Sequence, residues 1–108
     1  MPAKSRPLRI TITPHASYDI DATFAFANEH GRQAAVMVAR RSYNAVERLG
    51  DFPQLGALLP QDDAYPRSAD VRFIVVEPYL IFYRVLPDEV LILRVLHARQ
   101  DSLGLLFE

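Results

Sequence analysis

Apolar positions recur along this chain first with a period of two, then at three- and four-residue steps, then with a period of two again. From Leu8 to Thr13 the residues alternate, with Leu8, Ile10 and Ile12 opposed to Arg9, Thr11 and Thr13, which predicts a half-buried strand. Thr13-Pro14 then starts a helix, because the Thr hydroxyl can accept an N–H bond and Pro14 presets φ where no donor is needed. The helix should run from Pro14 to His30, with Ala16, Ile20, Phe24 and Ala27 inward and Asp19, Asp21 and Glu29 turned away. Gly31 breaks it. A second stripe of Ala35, Val38, Ala39, Ser42, Ala45, Val46 and Leu49 predicts another helix, closed by Gly50 as the residue after its last turn. So short a connection makes the two helices an antiparallel hairpin.

Residues 51–70 keep no period and are punctuated by Pro53, Gly56, Pro60 and Pro66, so they are expected to form a loop that crosses from helix to sheet. The period of two then returns in three runs, Val71 to Glu77, Tyr79 to Leu86 and Glu89 to His97, with turns at Glu77-Pro78 and Pro87-Asp88. Residues 1–7 read as a flexible arm and 98–108 as a C-terminal tail with an apolar end, Leu103, Leu105, Leu106 and Phe107. The expectation is one domain over residues 1–108, of the α+β class, ordered β-α-α-β-β-β, its helical hairpin packed on one face of an antiparallel-rich sheet.

The last two strands are apolar on both sides. Tyr79, Ile81, Tyr83 and Val85 oppose Leu80, Phe82, Arg84 and Leu86, and strict alternation sets Leu91, Leu93, Val95 and His97 against Val90, Ile92, Arg94 and Leu96. Two helices can cover one face of a sheet, so the second must be met by the tail, the long loop, another copy or a different protein. Arg84 and Arg94 are the cations within these strands. Each needs a mate, either an internal one such as Glu77 or Asp88 or a partner's carboxylate, because a buried unpaired charge is costly.

Composition narrows the classes of function. Twelve Lys and Arg against thirteen Asp and Glu give a net charge of -1, so no overall field draws the molecule to DNA or an anionic membrane. Direct nucleic-acid binding and membrane association are not expected. Cysteine is absent, which excludes disulfides, thiolate nucleophiles and cysteine zinc sites. His15 and His30 have no second ligand at metal spacing, so neither a metal nor another cofactor is expected. MPAKSRPLRI contains no apolar signal core, and a cytoplasmic location is expected.

With the elements laid out, the residues resemble the RelE/ParE superfamily of toxins. Thr13-Pro14-His15-Ala16 followed by Asp19-Ile20 is similar to that superfamily's T/S-P-x-A-x-x-D-L opening. Ala45-Val46-Glu47-Arg48-Leu49 leading to Phe52-Pro53-Gln54-Leu55-Gly56 resembles its A-I-x-x-L…F-P-x-L-G passage. The run Tyr79 to Val85, then Val90 to Asp101, resembles the ParE-type Y-L-I-F-Y-R-V…V-x-I-x-R-V-L-H-x-R-R-D ending, so the likeness spans residues 8–101.

What this resemblance implies is the toxin of a type II toxin–antitoxin pair, of a kind associated with plasmid stabilisation. Its antitoxin would be a small ribbon-helix-helix protein whose disordered tail folds onto the toxin. The ParE branch is associated with inhibiting DNA gyrase and the RelE branch with cutting messenger RNA on the ribosome. RNA-cutting members carry an Arg after the aromatic that opens the second meander strand, where this chain has Leu80 after Tyr79, and the lysines of such sites are missing. The reading is therefore a protein-binding inhibitor without catalytic residues. A ribosome-dependent endonuclease is the alternative, which would need Arg72, Arg84, His97 and Arg99 on one open surface, and a non-toxic module that only engages its antitoxin is a third. Leu80, Phe82, Arg84 and Arg94 are the candidate antitoxin-binding residues, and His97, Arg99 and Asp101 the candidate target-binding residues.

Overall fold

The computed structural model of the chain describes residues 7–59 and 70–99. Strand β1 (Arg9–Ile12) leads into the hairpin of α1 (Pro14–Glu29) and α2 (Arg32–Asp51). A two-residue strand β2 (Ala57–Leu58) and the meander β3 (Val71–Val76), β4 (Tyr79–Val85) and β5 (Glu89–His97) follow. These strands make one five-stranded sheet in the order β1-β5-β4-β3-β2. The meander and β2 pair antiparallel, whereas β1 returns beside β5 in parallel, so the sheet is mixed. The expected α+β architecture is present.

Local chemistry accounts for the helix starts. Thr13 is extended, its hydroxyl accepts from the Ala16 amide at 3.1 Å, and Pro14 opens the helix as anticipated. Gly31 precedes α2 with φ of 115°, a conformation that side chains with a Cβ rarely adopt, and so permits the short hairpin. At the other end the sequence reading needs correcting, because α2 runs past Gly50 to Asp51. Gly50 instead lies under the chain entering β1: Leu8 N–H donates to its carbonyl at 2.9 Å, and a Cβ there would sit 2.9 Å from the Leu8 carbonyl oxygen. The glycine marks a close crossing rather than a helix end.

Between helices and sheet lies the main core, in which Ala16, Leu49, Val76, Tyr79, Ile81, Tyr83, Val90, Ile92 and Val95 are buried. Burying a large side chain such as Leu49, which has no exposed surface, stabilises the fold by about 1.5–3 kcal/mol. The far face also has a core, of Val71, Phe82 and Leu96 with half-buried Leu59, Phe73, Leu80 and Leu93. Both faces of the sheet are apolar and both contain buried residues.

Strict alternation fails in β5. Tyr83 pairs with Ile92 but Phe82 pairs with Arg94, so one extra residue is accommodated there as a β-bulge. Val90 and Ile92 consequently share the helix side with Val95, while Leu93 and Leu96 belong to the far side. The segment expected to be loop throughout also contains β2, whose Ala57 and Leu58 pair with Phe73 and Arg72. Two residues are too few to show a period of two.

Candidate partner-binding site

The bulge lies where β5 loses its neighbour. β1 ends at Ile12, opposite Ile92, and beyond that point the side chains of Thr13, which caps α1, and of Asp19 within α1 take over hydrogen bonding along the β5 edge. The Thr13 hydroxyl donates to the Leu93 carbonyl at 3.1 Å, and Asp19 Oδ2 accepts from the Val95 amide at 2.9 Å. The same Asp19 oxygen accepts from Arg94 Nε at 2.8 Å, and its Oδ1 accepts from Arg94 Nη2 at 3.1 Å. This is a forked, charge-assisted pair, with the two side chains only 12% and 8% exposed. Asp19, expected to face outward, is thus buried, and Arg94 has an internal mate that is neither Glu77 nor Asp88.

A second polar device ties down the segment after α2. Tyr83, fully buried, donates its hydroxyl to the Pro53 carbonyl at 2.8 Å and accepts from the Gly56 amide at 2.8 Å. Arg72 Nη1 closes the turn on the Gly56 carbonyl at 2.7 Å. Gly56 leaves no room for a side chain, since a Cβ would fall 2.6 Å from the Phe73 carbonyl oxygen and 2.7 Å from the Tyr83 hydroxyl. Burial pushes the Tyr83 pKa up, only partly offset by the Gly56 hydrogen bond and the charge of Arg72. The Phe52-Pro53-Gln54-Leu55-Gly56 motif and the second Tyr of the Tyr79 to Val85 run are therefore two halves of one structural joint.

The helices do not close over the sheet. Between them lies an apolar cleft of about 230 Å³, with Ile20, Thr23 and Phe24 of α1 on one side and Val38, Ala39, Ser42, Tyr43 and Val46 of α2 on the other. Ile81, Ile92 and Val95 of the sheet, with Ile12, also line it. Its mouth is greasy: Ile12, Ile20, Phe24 and Tyr43 are 40%, 41%, 47% and 65% exposed. Ile20 and Phe24 were expected to be inward core residues, yet on α1 the buried positions are Ala16, Asp19 and Ala27. Sequence reasoning missed the cleft, although small residues beside large ones in its walls, Thr23 with Phe24 and Ala39 and Ser42 with Tyr43, were a signal that one facing layer leaves a gap.

The sequence-derived site residues fall in different places. Leu80 and Arg84 are half-buried and lie on the far face with Phe82, which is 1% exposed. Arg94 turns to α1 instead. His97 stacks edge-on with Tyr79 at 5.6 Å, and its Nδ1 accepts from the Arg99 amide at 3.1 Å. Asp101 lies outside the described residues, as do the arm before Pro7 and the tail after Arg99.

Arg72, Arg84, His97 and Arg99 do not converge. Arg72 pairs with Tyr83 on the helix side, Arg84 sits on the opposite face, and His97 pairs with Tyr79, five residues along β4 from Arg84 or about 17 Å at ordinary strand rise. Among the described residues no group of three or more His, Asp or Glu side chains gathers as metal ligands would, and no helix is long and apolar enough to cross a membrane.

Comparison with known proteins places this arrangement. A family model described as "ParE toxin of type II toxin-antitoxin system, parDE" matches residues 10–102. Comparison with curated proteins gives no match. Among solved structures, the fold is shared with a chain of the chromosomal ParDE toxin–antitoxin system from P. aeruginosa, at 23% identity and a TM-score of 0.68, over 86% of this chain and 98% of that one.

Proposed function

This chain belongs to the ParE toxin family of type II toxin–antitoxin systems, and on that premise we propose that it inhibits DNA gyrase in the cytoplasm and is silenced by an antitoxin seated in the cleft between α1 and α2. The observation that carries the antitoxin half of this reading is the cleft itself, about 230 Å³ of apolar space whose rim leaves Ile20, Phe24 and Tyr43 in water. An apolar surface of that kind is covered best by the apolar face of an amphipathic helix that orders on binding. A ribbon-helix-helix antitoxin with a disordered tail supplies such a segment. Its path continues to the far face, where Leu80 and Arg84 are half-buried contacts and the buried Phe82 supports them from beneath.

The gyrase half rests on family membership together with the dispersed cations. Phosphodiester cleavage needs a proton-transfer group and positioned positive charges around one reacting phosphate. Arg72, Arg84 and His97 stand on two faces and at two ends of the sheet, which argues against the endonuclease alternative. His97 and Arg99, at the end of β5, are retained as target contacts, with Asp101 following them in the chain.

Two measurements test the proposal. The product of a short reading frame beside this one should bind the purified chain, and Phe24→Glu should weaken that binding by about 10- to 100-fold, the equivalent of about 1.5–3 kcal/mol for a buried Phe. Induced expression should give DNA breaks and filamentous cells, and purified chain should inhibit gyrase supercoiling. Cleaved transcripts with prompt translation arrest, abolished by His97→Ala, would overturn the gyrase reading in favour of the nuclease. Growth without any defect would leave a module that only binds its antitoxin.

A further inference from the structure

We infer that Asp19 and Arg94 are positioning residues that set the width of the cleft, and so control how readily a partner enters it, without touching that partner. The inference rests on the cleft being the antitoxin seat.

The argument begins with what holds α1 down. Its buried residues are two alanines and Asp19, whereas its large apolar side chains, Tyr18, Ile20, Phe24 and Phe26, are 74%, 41%, 47% and 53% exposed. A helix with no large buried anchor gains little from packing, so its seat depends on the contacts that are directional. Those are the three bonds to the Asp19 carboxylate, two from Arg94 and one from the Val95 amide, and the two bonds of the Thr13 hydroxyl.

Location decides what these bonds control. Ile20, Thr23 and Phe24, which form the α1 wall of the cleft, follow Asp19 within five residues, and the lining residues Ile92 and Val95 flank Arg94 on β5. The ion pair itself is not part of that lining. It belongs to the opposite flank of α1, in a hollow shared with Tyr18, Phe26, Tyr79 and His97. Arg94 stands opposite Phe82 in the pairing, and because β1 ends at Ile12 no strand lies between this stretch of β5 and Asp19. Release of the pair would free α1 to lean over the sheet and bury Ile20 and Phe24 in their own cleft, since water-exposed apolar surface favours that movement. The open form would then be a minor population, and the apparent affinity of a partner would fall by the fraction that remains open.

The chain contains no cysteine, so two introduced thiols can be spin-labelled without background. Cysteines at exposed Asp21 of α1 and Asn44 of α2 would report the distance between the helices by pulsed electron resonance in wild type, Asp19→Ala, Arg94→Lys and Phe24→Glu. Asp19→Ala should shift or broaden the distance distribution and weaken binding of the neighbouring frame's product at least tenfold, chiefly through slower association. Arg94→Lys, which keeps the charge but loses the fork, should fall between it and wild type. Phe24→Glu should lose binding with its distances unchanged. Should Asp19→Ala fail to fold, Asp19→Asn takes its place. Superimposable distances in wild type and the Asp19 variant, or changed distances with unchanged association rates, would overturn the inference. Tight binding by Phe24→Glu would instead overturn the cleft as the seat, a separate failure, with the interhelical distances still deciding whether the pair holds α1.

Discussion

Tyr83→Phe removes one oxygen atom and nothing else, yet the joint between β4 and the segment after α2 depends on that atom. The hydroxyl donates to the Pro53 carbonyl and accepts from the Gly56 amide, both at 2.8 Å, from a residue with no exposed surface. The phenylalanine ring fills the same space, so no cavity term enters. What remains is a buried Gly56 N–H without its acceptor, a cost of about 1–3 kcal/mol. At about 4 °C or more of midpoint per kcal/mol for a domain of this size, a loss of about 2 kcal/mol lowers the melting midpoint by about 8 °C.

A pH series makes the test sharper. Burial raises the Tyr83 pKa above the ordinary 10.0, so the folded state holds this proton more tightly than the unfolded state does. Its contribution to stability is therefore fully present below about pH 10 and is lost as the pH rises through the raised folded value. Calorimetric or circular-dichroism melts of both proteins should give a gap between wild type and Tyr83→Phe that is constant at neutral pH and narrows above pH 10, other tyrosines cancelling in the difference. Melting points within experimental error of each other at pH 7, or a gap that does not narrow in alkali, would refute the reasoning.

Gly56→Ala should destabilise by about 1–3 kcal/mol or more in denaturant titrations, because its Cβ would fall 2.6 Å from the Phe73 carbonyl oxygen, which belongs to a paired strand and cannot easily retreat. Asp19→Ala removes the forked bonds to the largely buried Arg94 and the acceptor of the Val95 amide, and chemical unfolding should register a loss of about 3–5 kcal/mol, with hydrogen exchange of Val95 accelerating more than that of Tyr83. Phe82→Ala should cost about 3–5 kcal/mol if the far-face core contributes as its 1% exposure implies; a change below 1 kcal/mol by the same titration would show that this face is loosely packed in solution.

The order of elements could be read from the sequence because each depends on neighbours in the chain. Thr13 and Pro14 start a helix, Gly31 permits a tight turn and the meander strands repeat every two residues, whatever surrounds them. The motif residues were legible in the same way, and so was the need of Arg94 for a mate, since no sequence makes a buried cation tolerable alone. Asp19 as that mate was not legible: a carboxylate on a helix is outward by default, and only the end of β1 at Ile12 leaves an edge amide at Val95 for it to accept from. The β5 bulge, the crossing under Gly50 and the cleft under Phe24 are of the same kind, because each is set by how far apart two elements lie after packing, a distance between residues remote in the chain that no local period encodes. Local propensity determined which elements this chain forms; their separation in space decided where it keeps room for another molecule.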